Sequence, residues 1–162
     1  MGDRLEDGTG RLIRPGTDRD VAFMAALGAS AFARFGDYDP IIREFLSRDD
    51  VTSWVAEAAG ERVGFALVER PAILPGFADL VAIAVDARHR RQGIGRDLLA
   101  EVVADSERRG EPVLALTVAD DNPAAIALFH QWGFRKVPGN VGRYAGGQRS
   151  RRMVRTPAEG AA

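Results

Sequence analysis

Two spacings of apolar residues alternate along the chain between residues 11 and 155. Short apolar runs bounded by glycine or proline predict strands, whereas apolar positions that recur every three to four residues predict amphipathic helices. The predicted strands cover residues 11–14, 51–58, 62–69, 79–85, 113–118, 134–137 and 148–155, and the predicted helices cover about 18–35, 41–46, 93–108 and 122–132. This order predicts an α/β fold, a single domain whose mixed central sheet of about six to seven strands is flanked by about four helices.

Local patterns add detail to this outline. The dipeptide Asp39-Pro40 is expected to start the second helix, with Asp39 as its cap and Pro40 at its first position. Residues 79–85 are almost continuously apolar, which is typical of a strand covered on both faces. Residues 1–10 and 156–162 are predicted to be disordered tails on either side of a domain formed by residues 11–155.

Composition and charge exclude several classes of function. The 162 residues carry a formal net charge of −1 with both signs interleaved, so no binding surface for nucleic acid or a membrane is expected. The chain has no cysteine and its two histidines lie far apart in sequence, so neither thiolate chemistry nor a metal site is predicted. Without a signal sequence or an apolar run of ~18 residues, a cytoplasmic protein is the default expectation. The basic cluster Arg149, Arg151, Arg152 and Arg155 is interpreted as the solvated side of a strand.

The segment that follows the predicted strand 79–85 has the properties of an anion-binding turn. A polar, basic loop leads to Gly93 and Gly95, which open the next predicted helix. The first turn of a helix presents unpaired amides and about half a positive charge, and glycine lets a phosphate approach the backbone closely. Arg90, Arg91 and Arg96 would add countercharge.

Three interpretations of this loop compete on the glycines alone, and the first of them is excluded. The nucleotide-binding pattern Gly-x-x-x-x-Gly-Lys-Ser/Thr is absent. A dinucleotide fingerprint would need a third glycine where Leu98 stands, although Asp120 could imitate its ribose-binding acid. The third interpretation is a basic surface loop in which the two glycines have no binding role.

A pair of motifs favours one known family. The sequence Arg90-x-x-Gly93-x-Gly95 resembles the Arg/Gln-x-x-Gly-x-Gly/Ala motif of the GNAT superfamily of N-acetyltransferases. The segment from Asn122 to Phe134 is similar to the family's Asn-x-x-Ala-x-x-Phe/Tyr-Tyr-x-x-x-Gly-Phe segment. The resemblance implies the GNAT fold and an enzyme that transfers acetyl from acetyl-CoA to a primary amine, which attacks directly in a ternary complex. The alternative that we keep is a non-catalytic module that senses acetyl-CoA.

The resemblance also assigns the cofactor site. The expected cofactor-binding residues are Ile83, Ala84, Val85, Arg90, Arg91, Gln92, Gly93, Ile94, Gly95, Arg96, Asn122 and Phe129. In the family, the loop amides hold the pyrophosphate of coenzyme A, and the backbone of the preceding strand pairs with the pantetheine arm. The slot for that arm arises where this strand and the strand at 113–118 splay apart. Asn122 has a second interpretation as a helix N-cap.

Catalysis requires a neutral amine and a group that takes up its proton. The resemblance points to Asp79, at the start of the cofactor strand, as a base that acts through a water. Phe129 stands where many relatives have a proton-donating tyrosine, and Thr117 stands where some N-terminal acetyltransferases have Glu or His. Tyr144, near the final hairpin, is therefore the second catalytic candidate.

The acceptor side is expected at the junction of the first two helices. Phe35, Asp37 and Tyr38 are the predicted substrate-binding residues, with Asp37 available to attract a cationic amine. An aromatic loop with a solvated acid is the alternative interpretation. No pattern in the sequence selects a small amine, a peptide N-terminus or a lysine, and a homodimer is left open.

Overall fold

A computed structural model describes residues 5–6 and 10–157 of the chain. The strands are β1 (Leu5–Glu6), β2 (Arg11–Pro15), β3 (Val51–Ala58), β4 (Glu61–Glu69), β5 (Phe77–Val85), β6 (Val113–Ala119), β7 (Arg135–Arg143) and β8 (Arg149–Arg155). The helices are α1 (Val21–Ala31), α2 (Tyr38–Leu46), α3 (Ile94–Arg108) and α4 (Pro123–Gln131). Short 3-10 turns precede α1 at Asp18–Asp20 and follow β5 at Ala87–His89.

The strands form one mixed sheet in the order β1-β2-β3-β4-β5-β6-β8-β7. Neighbouring strands are antiparallel except for β5 and β6, which are parallel and are connected through α3. The α/β prediction is confirmed, but the sheet has eight strands in the described chain where we expected six or seven. The additional strand is β1, which lies within the predicted tail of residues 1–10 and pairs with β2. Most of the two predicted tails lies outside the described residues.

Apolar side chains cover both faces of the sheet. One buried cluster includes Leu98 and Leu99 of α3, and the other includes Met24 of α1 and Ile42 of α2. Strand β5 contributes to both clusters, as predicted for a strand covered on both faces. Leu80 belongs to the α3 side, whereas Ala82 and Ala84 belong to the α1–α2 side.

This change of face within β5 has a geometric cause. The pairing of β4 with β5 runs Val68 to Leu80 and then Leu67 to Ala82, so Val81 is an extra residue in the ladder. Such a β-bulge bends the strand and shifts the alternation of its side chains by one position. The bulge lies at the point where the pairing of β5 with β6 ends.

The structure corrects three predicted boundaries. Helix α1 ends at Ala31 rather than near residue 35. Helix α2 begins at Tyr38 with Asp37 in the N-cap position, so Pro40 is its third residue rather than its first. Proline is tolerated there because amides in the first turn of a helix need no intrahelical partner. Strand β7 extends to residue 143, beyond the predicted end at 137.

Candidate active site

Strands β5 and β6 open a cavity at the centre of the sheet. Their parallel pairing runs from Phe77 and Val113 to Leu80 and Leu116 and ends there. Beyond this point both strands line a cavity with a volume of about 130 Å³. The structure therefore has the splayed strands and the slot that the sequence resemblance implied.

The edge of β5 that faces this opening is suited to pair with an extended ligand. In the described sheet, residues 82–85 pair with β4 on one side and have no strand on the other. Buried backbone amides and carbonyls require partners, and an extended ligand arm can supply them as another strand would. Val81, Ala82 and Ile83 line the cavity, and the carbonyl of Val85 accepts a hydrogen bond of 3.4 Å from Arg90 Nε.

The loop after β5 brings the backbone into a conformation that suits an anion. The Asp86 side chain accepts from the Arg88 amide at 3.0 Å and fixes the start of the turn. Arg91 and Gly93 both have left-handed backbone angles, with φ of 62° and 82°, and α3 begins directly after Gly93. Arg11 of β2 hydrogen-bonds the carbonyl of Gln92, which holds the loop against the sheet.

Gly95 is the second residue of α3 and lies in its first turn. A Cβ built at this position would meet only Val85 Cγ2 within 4 Å, at an ordinary contact distance of 3.7 Å. The packing of the protein therefore does not require glycine here. Open space at the amides of a helix N-terminus is the arrangement that binds phosphate groups.

Asn122 acts as the N-cap of α4. Its Oδ1 accepts from the Ala125 amide at 3.3 Å, and Pro123 follows at the first helical position. This geometry supports the capping interpretation of the sequence. Asn122 and Ala125 also line the cavity, so a cofactor contact by the Asn122 side-chain amide stays a prediction. Phe129, on the same helix, is buried and packs edge-on against Phe134, with ring centroids 5.8 Å apart.

Asp79 forms a bidentate ion pair with Arg152 of β8. Arg152 Nη1 and Nη2 donate to the two carboxylate oxygens of Asp79 at 3.1 and 2.9 Å. Arg152 Nη1 also donates to Thr117 Oγ1 at 3.1 Å. Burial raises the pKa of Asp79 above its usual value, and the hydrogen bonds from Arg152 oppose this rise. Asp79 does not line the cavity itself but is joined through Arg152 to Thr117, which does.

The role of Arg152 was missed in the sequence, where the cluster at 149–155 was interpreted as a solvated strand face. Other arginines of this cluster also make ion pairs: Arg151 pairs with Asp120 at 2.7 Å, and Arg155 pairs with Glu107 at 2.7 Å. Arg152 and Asp79 are 73 residues apart. No local pattern signals such a contact, because it depends on the order of strands in the sheet.

Tyr144, the second catalytic candidate, lies in the cavity wall. Its hydroxyl donates to the carbonyl of Thr117 at 3.4 Å, and its ring packs against Phe35 in a tilted arrangement with centroids 4.6 Å apart. Burial raises the pKa of the Tyr144 phenol to about 12. The phenol is therefore protonated throughout the neutral range and can act as a hydrogen-bond donor.

The connection between α1 and α2 touches the β7–β8 hairpin beside the cavity. The Gly146 amide donates to the Phe35 carbonyl at 3.0 Å, and Gln148 Nε2 donates to the Arg34 carbonyl at 2.7 Å. These contacts bring Phe35 and Tyr144 together, and Tyr38 lines the same cavity. Asp37 is exposed and does not line the cavity, so the structure does not bring this predicted substrate residue to the site.

None of the helices in residues 5–6 and 10–157 is long and apolar enough to cross a membrane. The same residues contain no group of three or more histidine, cysteine or acidic side chains placed to hold a metal ion.

Known proteins resemble this chain in sequence and in fold. The ribosomal protein bS18-alanine N-acetyltransferase of Escherichia coli K12 is 39% identical over 78 residues, which are 48% of this chain and 51% of that protein. The crystal structure of the ribosomal-protein-S18-alanine N-acetyltransferase from Escherichia coli has a TM-score of 0.79 at 24% identity and covers 94% of this chain and 99% of that one. The PaiA N-acetyltransferase of Thermoplasma acidophilum, in complex with coenzyme A, has a TM-score of 0.70 at 18% identity over 91% and 99% of the two chains.

These comparisons differ in what they cover. The chain spans about half the length of the curated relatives it matches. The two solved structures, both under 25% identical, share the fold over nearly the whole described chain. The sequence profile of the acetyltransferase (GNAT) family matches residues 21–134, which is well over half of the chain. The sequence resemblance is thus confirmed, and the chain belongs to the GNAT family of acetyltransferases.

Proposed function

We propose that this chain is an acetyl-CoA-dependent N-acetyltransferase that acts on a primary amine. The observation that carries the proposal is the open edge of β5, which leads directly into the glycine-opened start of α3. In coenzyme A an extended pantetheine arm is followed by a diphosphate. The open edge of β5 offers strand-like pairing to such an arm, and the start of α3 offers helix amides to the diphosphate. Membership of the family and the coenzyme A bound to PaiA support the assignment.

The residues that would hold the cofactor belong to β5, the loop after it, the first turn of α3, and α4 with its cap. The amides of residues 91–96 would bind the pyrophosphate, with Arg90, Arg91 and Arg96 as countercharges. The backbone of residues 83–85 would pair with the pantetheine arm, beside Phe129 and Asn122. When bound, the cofactor supplies a thioester, which is an acetyl group activated for transfer to nitrogen.

Asp79 would take up the proton of the amine through a water molecule. Both of its carboxylate oxygens accept from Arg152, but a carboxylate has about four lone-pair sites and each oxygen can still accept from water. A carboxylate that is fixed in place and can still accept a hydrogen bond from water satisfies the geometric requirement for a general base.

Tyr144 would act as a hydrogen-bond donor rather than as a full proton donor. Its phenol has a pKa of about 12, whereas a free thiol has a pKa of about 8.5. Proton transfer from this phenol to a thiolate would therefore be uphill by roughly 4–5 kcal/mol. A hydrogen bond to the acceptor or to the leaving sulfur carries no such cost.

The cavity favours an acceptor amine that enters without charge. Five of its described lining residues are aromatic and none of its described lining side chains carries a full charge. Moving a cationic amine out of water without a counterion is costly. An α-amine, with a pKa of about 7.7–8.0, becomes neutral more readily than a lysine side chain at about 10.4. We therefore place α-amines ahead of lysine-like amines, and the alanine in the name of the Escherichia coli relative agrees with this order.

A cytoplasmic location and a homodimer stay predictions.

Two measurements test the proposal. Acetyl-CoA at ~100 times its dissociation constant is expected to stabilise the folded protein by ~2.7 kcal/mol, whereas NAD and ATP have no such effect. Thiol release is then followed with phenylalaninamide, N-acetyl-lysine amide and spermidine as acceptors. Because the chain has no cysteine, every thiol that the reagent detects comes from the cofactor.

The outcomes separate the competing functions. A melting temperature that does not respond to millimolar acetyl-CoA would overturn the proposed cofactor. Stabilisation by acetyl-CoA without thiol release from any amine would favour the sensor module over the enzyme. Release that is fastest with spermidine would contradict the order of acceptors inferred from the uncharged cavity.

A further inference from the structure

Thr117 joins the candidate base to the candidate hydrogen-bond donor. Its Oγ1 accepts from Arg152, and its carbonyl accepts from the Tyr144 hydroxyl. Arg152 holds Asp79 by two further hydrogen bonds. A single guanidinium therefore connects the carboxylate of Asp79 to the lining of the cavity.

The surroundings of Arg152 favour one fixed geometry. The side chains of Arg152 and Asp79 are 24% and 17% exposed, and the Phe77 ring centroid lies 5.7 Å from the guanidinium carbon. A forked pair between guanidinium and carboxylate fixes the orientation of both groups, which the point charge of a lysine does not do. Arg152 lies opposite Thr117 in the pairing of β8 with β6, so the register of the sheet sets this contact.

Glu69 is the other charged residue that faces Asp79 within the described part of the chain. It lies opposite Asp79 in the pairing of β4 with β5. Arg48 hydrogen-bonds Glu69 and also Asp50, and so neutralises part of that negative charge. Burial and the charge of Glu69 both raise the pKa of Asp79, and Arg152 is the cation that lowers it.

We propose that Arg152 is a positioning residue for the transfer reaction: it fixes the Asp79 carboxylate beside the cavity and ties it to Thr117 in the cavity wall. This inference rests on the proposed function. Arg152 acts through Asp79 and does not itself contact the amine. Its loss is therefore expected to matter only as long as Asp79 is present.

The experiment is a double-mutant cycle with a pH profile. Turnover and KM for phenylalaninamide are measured from pH 5 to 10 for the wild type, Arg152→Gln, Asp79→Asn and the double variant. Arg152→Gln is expected to move the ionisation that controls turnover to higher pH by one unit or more, which is a loss of about tenfold on the acidic side. In the Asp79→Asn background the same change is expected to alter turnover by less than about twofold, because coupled residues are not additive.

Two further variants separate positioning from charge and from strand stability. Arg152→Lys keeps the positive charge but loses the bidentate hydrogen bonds to Asp79. We therefore expect a smaller shift of the pH profile than in Arg152→Gln, together with reduced turnover. Arg151→Gln is the matched control, since it removes an arginine from the same strand and breaks only the pair with Asp120. The control is expected to keep the wild-type profile.

Several results would overturn the inference. An unchanged profile in Arg152→Gln, or losses that multiply in the double variant, would show that Arg152 does not act through Asp79. A rise in KM for phenylalaninamide in Arg152→Gln, without a shift of the pH profile, would make Arg152 a substrate-binding residue instead. If the wild type releases no thiol with any amine, the proposed function fails and the inference fails with it. If the wild type is active and Arg152→Gln behaves like Arg151→Gln, the inference about Arg152 fails while the proposed function stands.

Discussion

Replacing Gly95 with valine is expected to weaken the binding of acetyl-CoA while leaving the fold intact. A Cβ at this position meets only Val85 Cγ2, at 3.7 Å, so the protein itself has room for it. The backbone of Gly95 is not in the left-handed region, in contrast to that of Gly93 with a φ of 82°. The new side chain would instead occupy the space in which a pyrophosphate must approach the first amides of α3.

The expected effects on stability and on binding have opposite signs. Glycine within a helix costs roughly 0.5–1 kcal/mol relative to alanine. One kcal/mol corresponds to about 2–4 °C in melting temperature for a domain of this size. Gly95→Ala is therefore expected to raise the melting temperature of the ligand-free protein by up to a few degrees and to weaken cofactor binding. Gly95→Val, with a bulkier branched side chain, is expected to weaken binding at least tenfold, which is ~1.4 kcal/mol.

Calorimetric titration with acetyl-CoA and melting of the ligand-free protein check these two effects separately. Ala22→Val is the matched control, because Ala22 is the exposed second residue of α1 as Gly95 is the second residue of α3. The control is expected to keep the wild-type affinity. If Gly95→Val binds acetyl-CoA as tightly as the wild type does, the loop is an ordinary surface turn and the proposed site is refuted.

Three more predictions concern single side chains. Asp79→Asn is expected to lower turnover by roughly 10²–10⁴-fold and to require a more alkaline pH for a given rate, at unchanged acetyl-CoA affinity; an unchanged rate and profile would remove Asp79 from the mechanism. Tyr144→Phe keeps the ring contact with Phe35 and loses one hydrogen bond, so turnover is expected to fall only about two- to tenfold, and a complete loss would contradict a donor role. Hydrogen bonds from Arg14 hold the pKa of buried Asp20 at about 2. This carboxyl therefore stabilises the fold above its unfolded pKa of about 3.9, and the contribution, roughly 2–3 kcal/mol, is lost as the pH falls towards 2. Denaturant melts of Asp20→Asn between pH 2 and 7 check this, and a variant as stable as the wild type at pH 7 would contradict it.

The local sequence was sufficient to predict the elements that we propose hold the cofactor. The apolar run of β5, the basic loop and the glycines before and within α3 are contiguous in the sequence. Each of these patterns reflects the backbone conformation of residues that are close neighbours along the chain. The cap at Asn122 was predicted for the same reason, since its partner Ala125 is three residues away. Helix and strand positions were mostly right because one turn of helix or one alternation of a strand is short in sequence.

The sequence was less informative where an element depends on what packs against it. The end of α1 and the start of α2 were misplaced, because the aromatic segment between them continues a helical spacing but folds against the β7–β8 hairpin through Gly146 and Gln148. Asp37 looked like an acceptor residue from its position, yet the turn directs it to solvent. Strand β1 escaped notice because two residues carry no periodicity.

Only the tertiary structure placed the polar groups around the cavity. Asp79 meets Arg152, and Tyr144 meets Thr117, because the order β5-β6-β8 places the last strand beside β6. The bulge at Val81 and the end of the β5–β6 pairing are properties of strand register, which no single strand encodes. The sequence by itself thus determined the backbone that would bind the cofactor, since that chemistry lies in contiguous amides and glycines. The groups that would handle the proton are brought together by contacts between residues many positions apart, and these exist only once the sheet has formed.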